Sequence, residues 1–469
     1  MTMTPRSGSR SLVPRRVSRA AGIAAGLALA AVCAAAQEFP RGQVVPRVTC
    51  RSDGRYSYAL YLPVGYAPDR KWPVLFCFSP DGRGDDAVLR FRALAERFGY
   101  ILVGSLDSSN AAGSEIVKIE KALWDEVEAR FPMDPRRAAA AGFSGGGRAA
   151  LCLALSHPDR FEGVVTSGAF DPEIRKVPPG CPLSLYLLVG CRDFNLFEMT
   201  RAEKQLTKLG VAHWYEEFAG DHRWPPEALL GEGLEYLQLT AMRRGTLPDD
   251  PAFAARLLAS RADSAAALAA SGLRTAAWRK YRQTAALFRG LPGAAAAAAR
   301  AAELEQDPEV QERLALEPDF EALRERVDLR RGEEALLGAM RAVKRRGEAG
   351  GLAADFAALL LRGGAAQLGD VGGGLFYEKE YGAAARVFDQ ALEFAPGDAL
   401  LAYNGACAYA RLGDRKGALR RLEKAVANGF RDADGMARDP DLESLRGEPG
   451  FQELLARMRS GSPVPPRPP

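Results

Sequence analysis

Ser144 sits in Gly142-Phe143-Ser144-Gly145-Gly146, between a small apolar run, Arg137 to Ala141, and a longer one, Gly147 to Leu155. The first is readable as a short buried strand and the second as a buried helix. A serine at such a strand-to-helix turn has the setting of a nucleophile. The sharp, strained turn holds the hydroxyl out, and glycines two residues to either side remove side chains that would collide. With 48 glycines among 469 residues the pentapeptide can arise by chance, so the flanking strand and helix give it its weight.

A serine hydroxyl is a weak nucleophile at neutral pH and needs a base within hydrogen-bond reach. The chain has three histidines. His157, in Ser156-His157-Pro158-Asp159, ends the helix after the elbow and reads as a capping residue. His213 falls inside a strand-like run. His222, in Gly220-Asp221-His222-Arg223-Trp224-Pro225-Pro226, follows that strand and precedes a helix. Loops at the carboxyl ends of parallel strands are where sites form in open α/β sheets, which makes His222 the expected base. The orienting carboxylate is expected from Asp193, in Gly190-Cys191-Arg192-Asp193-Phe194-Asn195, at the end of the preceding strand. Asp171, one strand earlier, is the competitor, and a turn or cap role is the alternative for Asp193. Asp221 is adjacent to His222 and poorly placed to reach its ring.

The order Ser144, Asp193, His222 is that of the α/β-hydrolases. The elbow, the Asp-Phe-Asn segment and the Gly-x-His-x-Trp-Pro segment resemble the polyhydroxybutyrate depolymerase and feruloyl/acetylxylan esterase branch of that fold, over about residues 50–245. The resemblance implies a Ser-Asp-His serine hydrolase acting on carboxylic esters through an acyl-enzyme. That branch carries a His-Gly pair after the strand corresponding to Val74–Phe78, where this chain has Ser79-Pro80-Asp81-Gly82. The donor needed there is a backbone N–H. The Asp81 N–H falls at the matching position, with the Gly145 N–H as second oxyanion donor. A carboxylate at Asp81 opposes a developing oxyanion unless it points away.

Trp224, beside the base, is a candidate apolar or stacking wall for substrate and equally readable as core. Only 13 residues (170–182) separate Ala169 from Leu183, where many α/β-hydrolases insert a lid. An open site suited to bulky or polymer-borne esters is therefore expected. A serine peptidase of the same fold is one alternative, and a catalytically silent scaffold with a protein-binding helical region is another.

These residues need a frame. Strand-like runs at Tyr56–Leu62, Val74–Phe78, Ile101–Gly104, Ala138–Phe143, Gly163–Thr166, Leu183–Val189 and His213–Phe218 alternate with helical patterns, which predicts βαβ units and a mostly parallel sheet over 37–247. Pro248-Asp249-Asp250-Pro251 marks a boundary. Residues 252–460 are rich in Ala, Leu, Glu and Arg and read as all-helical. Within them Gly372, Tyr381, Ala384, Phe388, Ala391 and Pro396 fall at tetratricopeptide-repeat offsets. Ala418, Leu422 and Ala425 repeat three of these 34 residues on, so about 365–430 is similar to such repeats, a surface for a protein partner. Residues 461–469 form a Pro-rich tail, read as disordered.

Residues 1–36 read as an export signal. Five arginines and no acidic residue precede or enter an apolar stretch from Ala20 to Ala35, and Ala34-Ala35-Ala36 offers a cleavage site before Gln37. So Ala-rich a stretch is short and weakly hydrophobic for a membrane span, so no stable span is expected after cleavage. Without the leader the chain carries 58 basic and 59 acidic side chains. No basic patch with interleaved aromatics remains, which argues against nucleic acid as a partner. Six cysteines remain at irregular spacings, read as buried and free. No C-x-x-C pair or H-E-x-x-H occurs, which leaves a metal site little support, and no cofactor is expected.

Overall fold

The computed structural model describes residues 39–170 and 177–460. The leader at 1–36, Asp171 and the tail at 461–469 lie outside those residues. Eight strands form one sheet: β1 (Val44–Thr49), β2 (Ser57–Tyr61), β3 (Trp72–Phe78), β4 (Ile101–Ser105), β5 (Met133–Phe143), β6 (Phe161–Ser167), β7 (Ser184–Gly190) and β8 (His213–Phe218). Their order is β1-β2-β4-β3-β5-β6-β7-β8. The β1–β2 and β2–β4 pairs are antiparallel, and every pairing from β4 onward is parallel. The central strands read as continuous apolar runs because both faces are covered: all seven residues of β3, Trp72 to Phe78, are buried.

Helices α1 (Gly84–Phe98), α2 (Ile116–Arg130), α3 (Gly145–Ser156), α4 (Leu196–Leu209) and α5 (Glu227–Arg243) alternate with the strands. Val88, Phe91, Leu230, Leu234 and Leu237 of α1 and α5 pack with Leu75, Leu102, Val165 and Leu188 on one face of the sheet. Leu123, Trp124, Leu151, Phe197 and Leu206 of α2, α3 and α4 pack with Phe76, Val164 and Leu187 on the other. The sheet is mostly parallel, as the alternating runs predict, and the arrangement is the α/β-hydrolase one that the resemblance implies. The sequence pattern does not show β1. Pro46 and Arg47 interrupt its apolar residues, and the strand is tolerated because it lies at the sheet edge with a bulge between Val45 and Val48.

The rest of the chain is helical: α6 (Pro251–Ala270), α7 (Arg274–Leu287), α8 (Ala294–Glu305), α9 (Pro308–Arg326), α10 (Glu333–Gly347), α11 (Gly351–Tyr377), α12 (Tyr381–Phe394), α13 (Ala399–Leu412), α14 (Arg415–Ala427), α15 (Ala433–Arg438) and α16 (Pro449–Ser460). The Asp250-Pro251 pair at the boundary starts α6. The Asp250 carboxylate accepts the Phe253 N–H at 2.9 Å, and Pro251 takes the first turn, where its missing N–H costs nothing. At the repeat positions Ala384, Phe388, Ala391, Ala418, Leu422 and Ala425 are all buried. Gly372 lets Phe388 close on α11, since a Cβ there would stand 2.9 Å from its ring.

The helical region is locked to the last strand of the sheet. The Gln283 side chain of α7 accepts the Tyr215 N–H at 2.8 Å and donates to the Tyr215 carbonyl at 2.7 Å, pairing with β8 as a neighbouring strand would. Glu216 and Glu217, adjacent on β8 and so on opposite faces, are both buried. Lys280 of α7 donates to Glu216 at 2.9 Å, and Arg313 of α9 donates to Glu217 at 2.6 Å. Arg279 completes the second cluster through Glu217 and Glu317. Burial opposes the charge on Glu217, but Arg313 and Arg279 hold its carboxyl below the usual range.

Candidate active site

The turn from β5 into α3 places Ser144 at φ 53°, ψ −126°, a conformation that a side chain rarely adopts and that costs about 1–3 kcal/mol. Its neighbours explain why the turn is glycine-rich. A Cβ on Gly142 would stand 2.1 Å from the Gly146 carbonyl oxygen, and one on Gly146 would stand 2.5 Å from the Phe78 carbonyl oxygen. No other residue fits either place. The Ser144 N–H donates to the Ser167 carbonyl at 2.7 Å, tying the elbow to β6.

His222, in the loop between β8 and α5, faces Ser144 with Nε2 2.9 Å from Oγ. Its Nδ1 lies 2.9 Å and 3.0 Å from the two carboxylate oxygens of Asp193, in the loop between β7 and α4. A carboxylate only accepts, so Nδ1 carries the proton and Nε2 presents a lone pair to the serine hydroxyl. Asp193 is fully buried, and its Oδ1 also accepts the Asn195 N–H at 2.8 Å. The Asn195 amide in turn donates to the Gly168 carbonyl, fastening the acid loop to the end of β6. Two phenyl rings touch the imidazole, Phe194 at 4.1 Å and Phe143 at 4.7 Å between centroids.

The other histidines lie elsewhere. His157 ends α3 and stacks on Trp124 at 4.4 Å, and His213 holds the Val211 carbonyl from Nδ1 at 2.8 Å. Asp221 is exposed and lies 3.5 Å from Arg223. The Trp224 ring packs on Phe143 and on Phe91, with the Arg90 guanidinium 5.2 Å from its centroid. It is not among the residues lining the cavity beside Gly145.

Gly145 opens α3, so its N–H has no carbonyl partner within the helix and is free to donate. The Asp81 carboxylate folds back on its own turn, accepting from the Ser79 hydroxyl and from the Arg83 N–H at 3.3 Å. Burial works against the charge. The Ser79 hydroxyl, the Arg83 N–H and the residue's own N–H nevertheless hold the carboxyl below its usual range. Asp81 is thus an anion at neutral pH whose own N–H faces its own carboxylate. A cavity of about 230 Å³ opens beside Gly145, lined by Ser79, Ser108, Asn110, Arg148, Ala149 and Cys152 among others.

The Asn110 amide meets Gly145 so closely that a Cβ on the glycine would overlap its Oδ1. Ser108 is buried with no hydrogen-bond partner for its hydroxyl. Sequence reasoning passed over both, because they stand between a strand and a helix with no motif around them. It also passed over Phe194, whose place next to Asp193 was a usable signal. Among the described residues no three His, Cys, Asp or Glu side chains gather as a metal site, and none of the six cysteines there forms a disulfide; four are buried as expected, while Cys152 and Cys191 are only partly buried. No helix among the described residues is long and apolar enough to cross a membrane.

Residues 117–183, from α2 through the elbow to the start of β7, match the model of the protein family described as "Putative esterase". The matched segment carries Ser144 with its flanking strand and helix, so the likeness to esterases includes the Ser144 turn. Among solved structures, the chain is similar to the fluorophosphonate-binding serine hydrolase F of Staphylococcus aureus, at 13% identity over 43% of this chain and 99% of that one, with a TM-score of 0.35. It is similar to an S-formylglutathione hydrolase of the same organism at 15% identity, over 44% of this chain and 98% of that one (TM-score 0.34). A ferulic acid esterase is similar at 18% identity, over 43% and 98% of the two chains (TM-score 0.33). A curated relative, a chloroplastic protein of Arabidopsis thaliana, is 39% identical over 56 residues, 12% of this chain. The match spans 17% of that relative's length.

Proposed function

We propose that this chain is an exported serine hydrolase that cleaves carboxylic esters through an acyl-enzyme. The observation that carries the reading is the unbroken line of hydrogen bonds from buried Asp193 through His222 to Ser144, at 2.9 Å on each side of the imidazole. As Ser144 Oγ attacks the ester carbonyl carbon, His222 Nε2 takes the hydroxyl proton, and the carbonyl π pair moves onto oxygen. The Gly145 and Asp81 N–H groups receive that oxyanion. When the tetrahedral species collapses, the C–O bond to the alcohol breaks and His222 returns the proton to the leaving oxygen. Water then repeats the sequence on the acyl-serine, with His222 again taking and returning a proton. Asp193 stays ionised throughout, holding the tautomer and stabilising the imidazolium.

The short connection at 170–182 supports an open site for bulky or polymer-borne esters. The leader supports export to the periplasm or beyond, and the repeat segment at about 365–430 is read as a surface for a protein partner.

Fluorophosphonate labelling tests the reading. Wild type is expected to label and Ser144→Ala to remain unlabelled; failure of both would end it. Turnover of short p-nitrophenyl esters above that of peptide p-nitroanilides is expected, and the reverse ranking would make the protein a peptidase. N-terminal sequencing of the protein secreted from a bacterial host is expected to begin at Gln37.

A further inference from the structure

Residues 192–198, the loop and first helical turn that carry Asp193, touch the helical region at four places. Arg362 of α11 donates to the Arg192 carbonyl at 3.1 Å. Gly363, next in that helix, faces Phe194, and a Cβ there would lie 3.5 Å from Phe194 Cβ and Cδ2. Phe197 packs on Phe320 of α9 and Phe356 of α11, with ring centroids 5.7 and 4.8 Å away. Glu198 is held between Arg148 of α3, at 2.8 Å, and Arg324 of α9, at 2.7 Å. Arg148 belongs to the helix that begins at the nucleophile. The acid loop is therefore seated from outside by helices that begin more than a hundred residues later in the chain.

Phe194 is the link to the chemistry. Its ring lies against the His222 imidazole, and Gly363 packs beside it as well. Glycine is a poor residue for the interior of a helix, and the space at Gly363 admits a methyl group at ordinary contact with Phe194. A bulkier side chain there presses on Phe194.

We infer that α11 is a working part of the catalytic apparatus: Gly363 and Arg362 are positioning residues that seat Phe194 against His222 and so hold the imidazole between Asp193 and Ser144. The inference rests on the roles proposed for those three residues, but its test reads the histidine ring directly. With three histidines in the chain, selective ¹⁵N-histidine labelling resolves each ring, and His222→Ala identifies the signal. In Gly363→Leu the His222 Nδ1–H resonance is expected to broaden or vanish as its bond to Asp193 loosens, with His157 and His213 unmoved. Gly363→Ala should keep it. Gly373→Leu, on the same helix where a side chain meets open space, should leave both spectrum and turnover as in wild type. In kinetics, Gly363→Leu is expected to lower kcat at least tenfold with KM changed less than twofold.

A folded Gly363→Leu protein with a wild-type His222 signal would overturn the inference. If that variant does not fold, Phe194→Leu decides on the same signal, lost if the ring positions the imidazole and unchanged if it does not. Absence of fluorophosphonate labelling in wild type would instead count against the esterase reading and leave the ring measurement standing.

Discussion

Gly168 packs its bare Cα against the Asp193–His222 pair: a Cβ there would stand 3.2 Å from Asp193 Oδ2 and 3.3 Å from His222 Cε1. Its φ of 67° also disfavours a side chain. Gly168→Ala is expected to cost about 1 kcal/mol or more in stability. It should lower kcat by about a hundredfold, since small displacements of reacting groups are that expensive. Thermal melts and ester kinetics on the same preparation check both. Wild-type kcat in a folded variant would show that the pair tolerates the displacement.

Asp193→Asn keeps the shape of the acid but reverses the preferred tautomer of His222, because an amide can donate where a carboxylate only accepts. A fall in kcat of about 10⁴ is expected, with the fold intact. Strong retention of fluorophosphonate labelling in Asp193→Asn, together with its loss in Asp171→Asn, would move the acid role to Asp171.

The Asp81 carboxylate sits on the turn proposed to supply an oxyanion donor and competes for that donor's N–H. Asp81→Asn preserves an acceptor for the Arg83 N–H while removing the charge. A unit charge at about 4 Å in a water-like medium opposes an anion by about 1 kcal/mol. The variant is therefore expected to raise kcat about fivefold with little change in KM. Steady-state kinetics at low salt read the effect, and a lower kcat would mean that the carboxylate's role is to hold the turn.

Glu120 of α2 is buried, and its Oε1 takes no hydrogen bond. Burial pushes its pKa from 4.5 to about 8, only partly offset by a hydrogen bond with Cys152. The folded state therefore holds this proton more tightly than the unfolded chain. Stability is greatest below pH 4.5 as far as this group is concerned and falls as pH rises towards 8, by roughly 1.4 kcal/mol per pH unit. Glu120→Gln removes the dependence. Relative to wild type, its Tm should gain steadily from about pH 5 to about pH 8.5, and parallel Tm curves would refute the assignment.

The parts of this molecule that were legible in its sequence are those governed by local rules. The glycines around Ser144 announce a turn with no room for side chains, and buried parallel strands announce themselves as unbroken apolar runs. Three histidines left few ways to pair a base with the serine. Other parts obey rules that a sequence does not display. β1 is hidden because an edge strand tolerates Pro46. The loop bearing Ser108 and Asn110 reaches Gly145 through its path in space, without a motif.

Glu216 and Glu217 look like ordinary strand residues. Their partners Lys280 and Arg313 lie 64 and 96 residues away, and nothing in the spacing foretells such pairs. For the same reason the boundary at Pro248-Asp249-Asp250-Pro251, visible as turn chemistry, gives no sign that the helices beyond it reach back to the acid loop.

The amide of Gln283 has one further consequence. An open sheet has two rims at which another chain can add a strand and so begin a polymer. On the β8 side one glutamine side chain occupies the N–H and C=O of Tyr215. On the β1 side Pro46 lacks an N–H and the bulge bends the strand. Both rims are thereby guarded against strand addition.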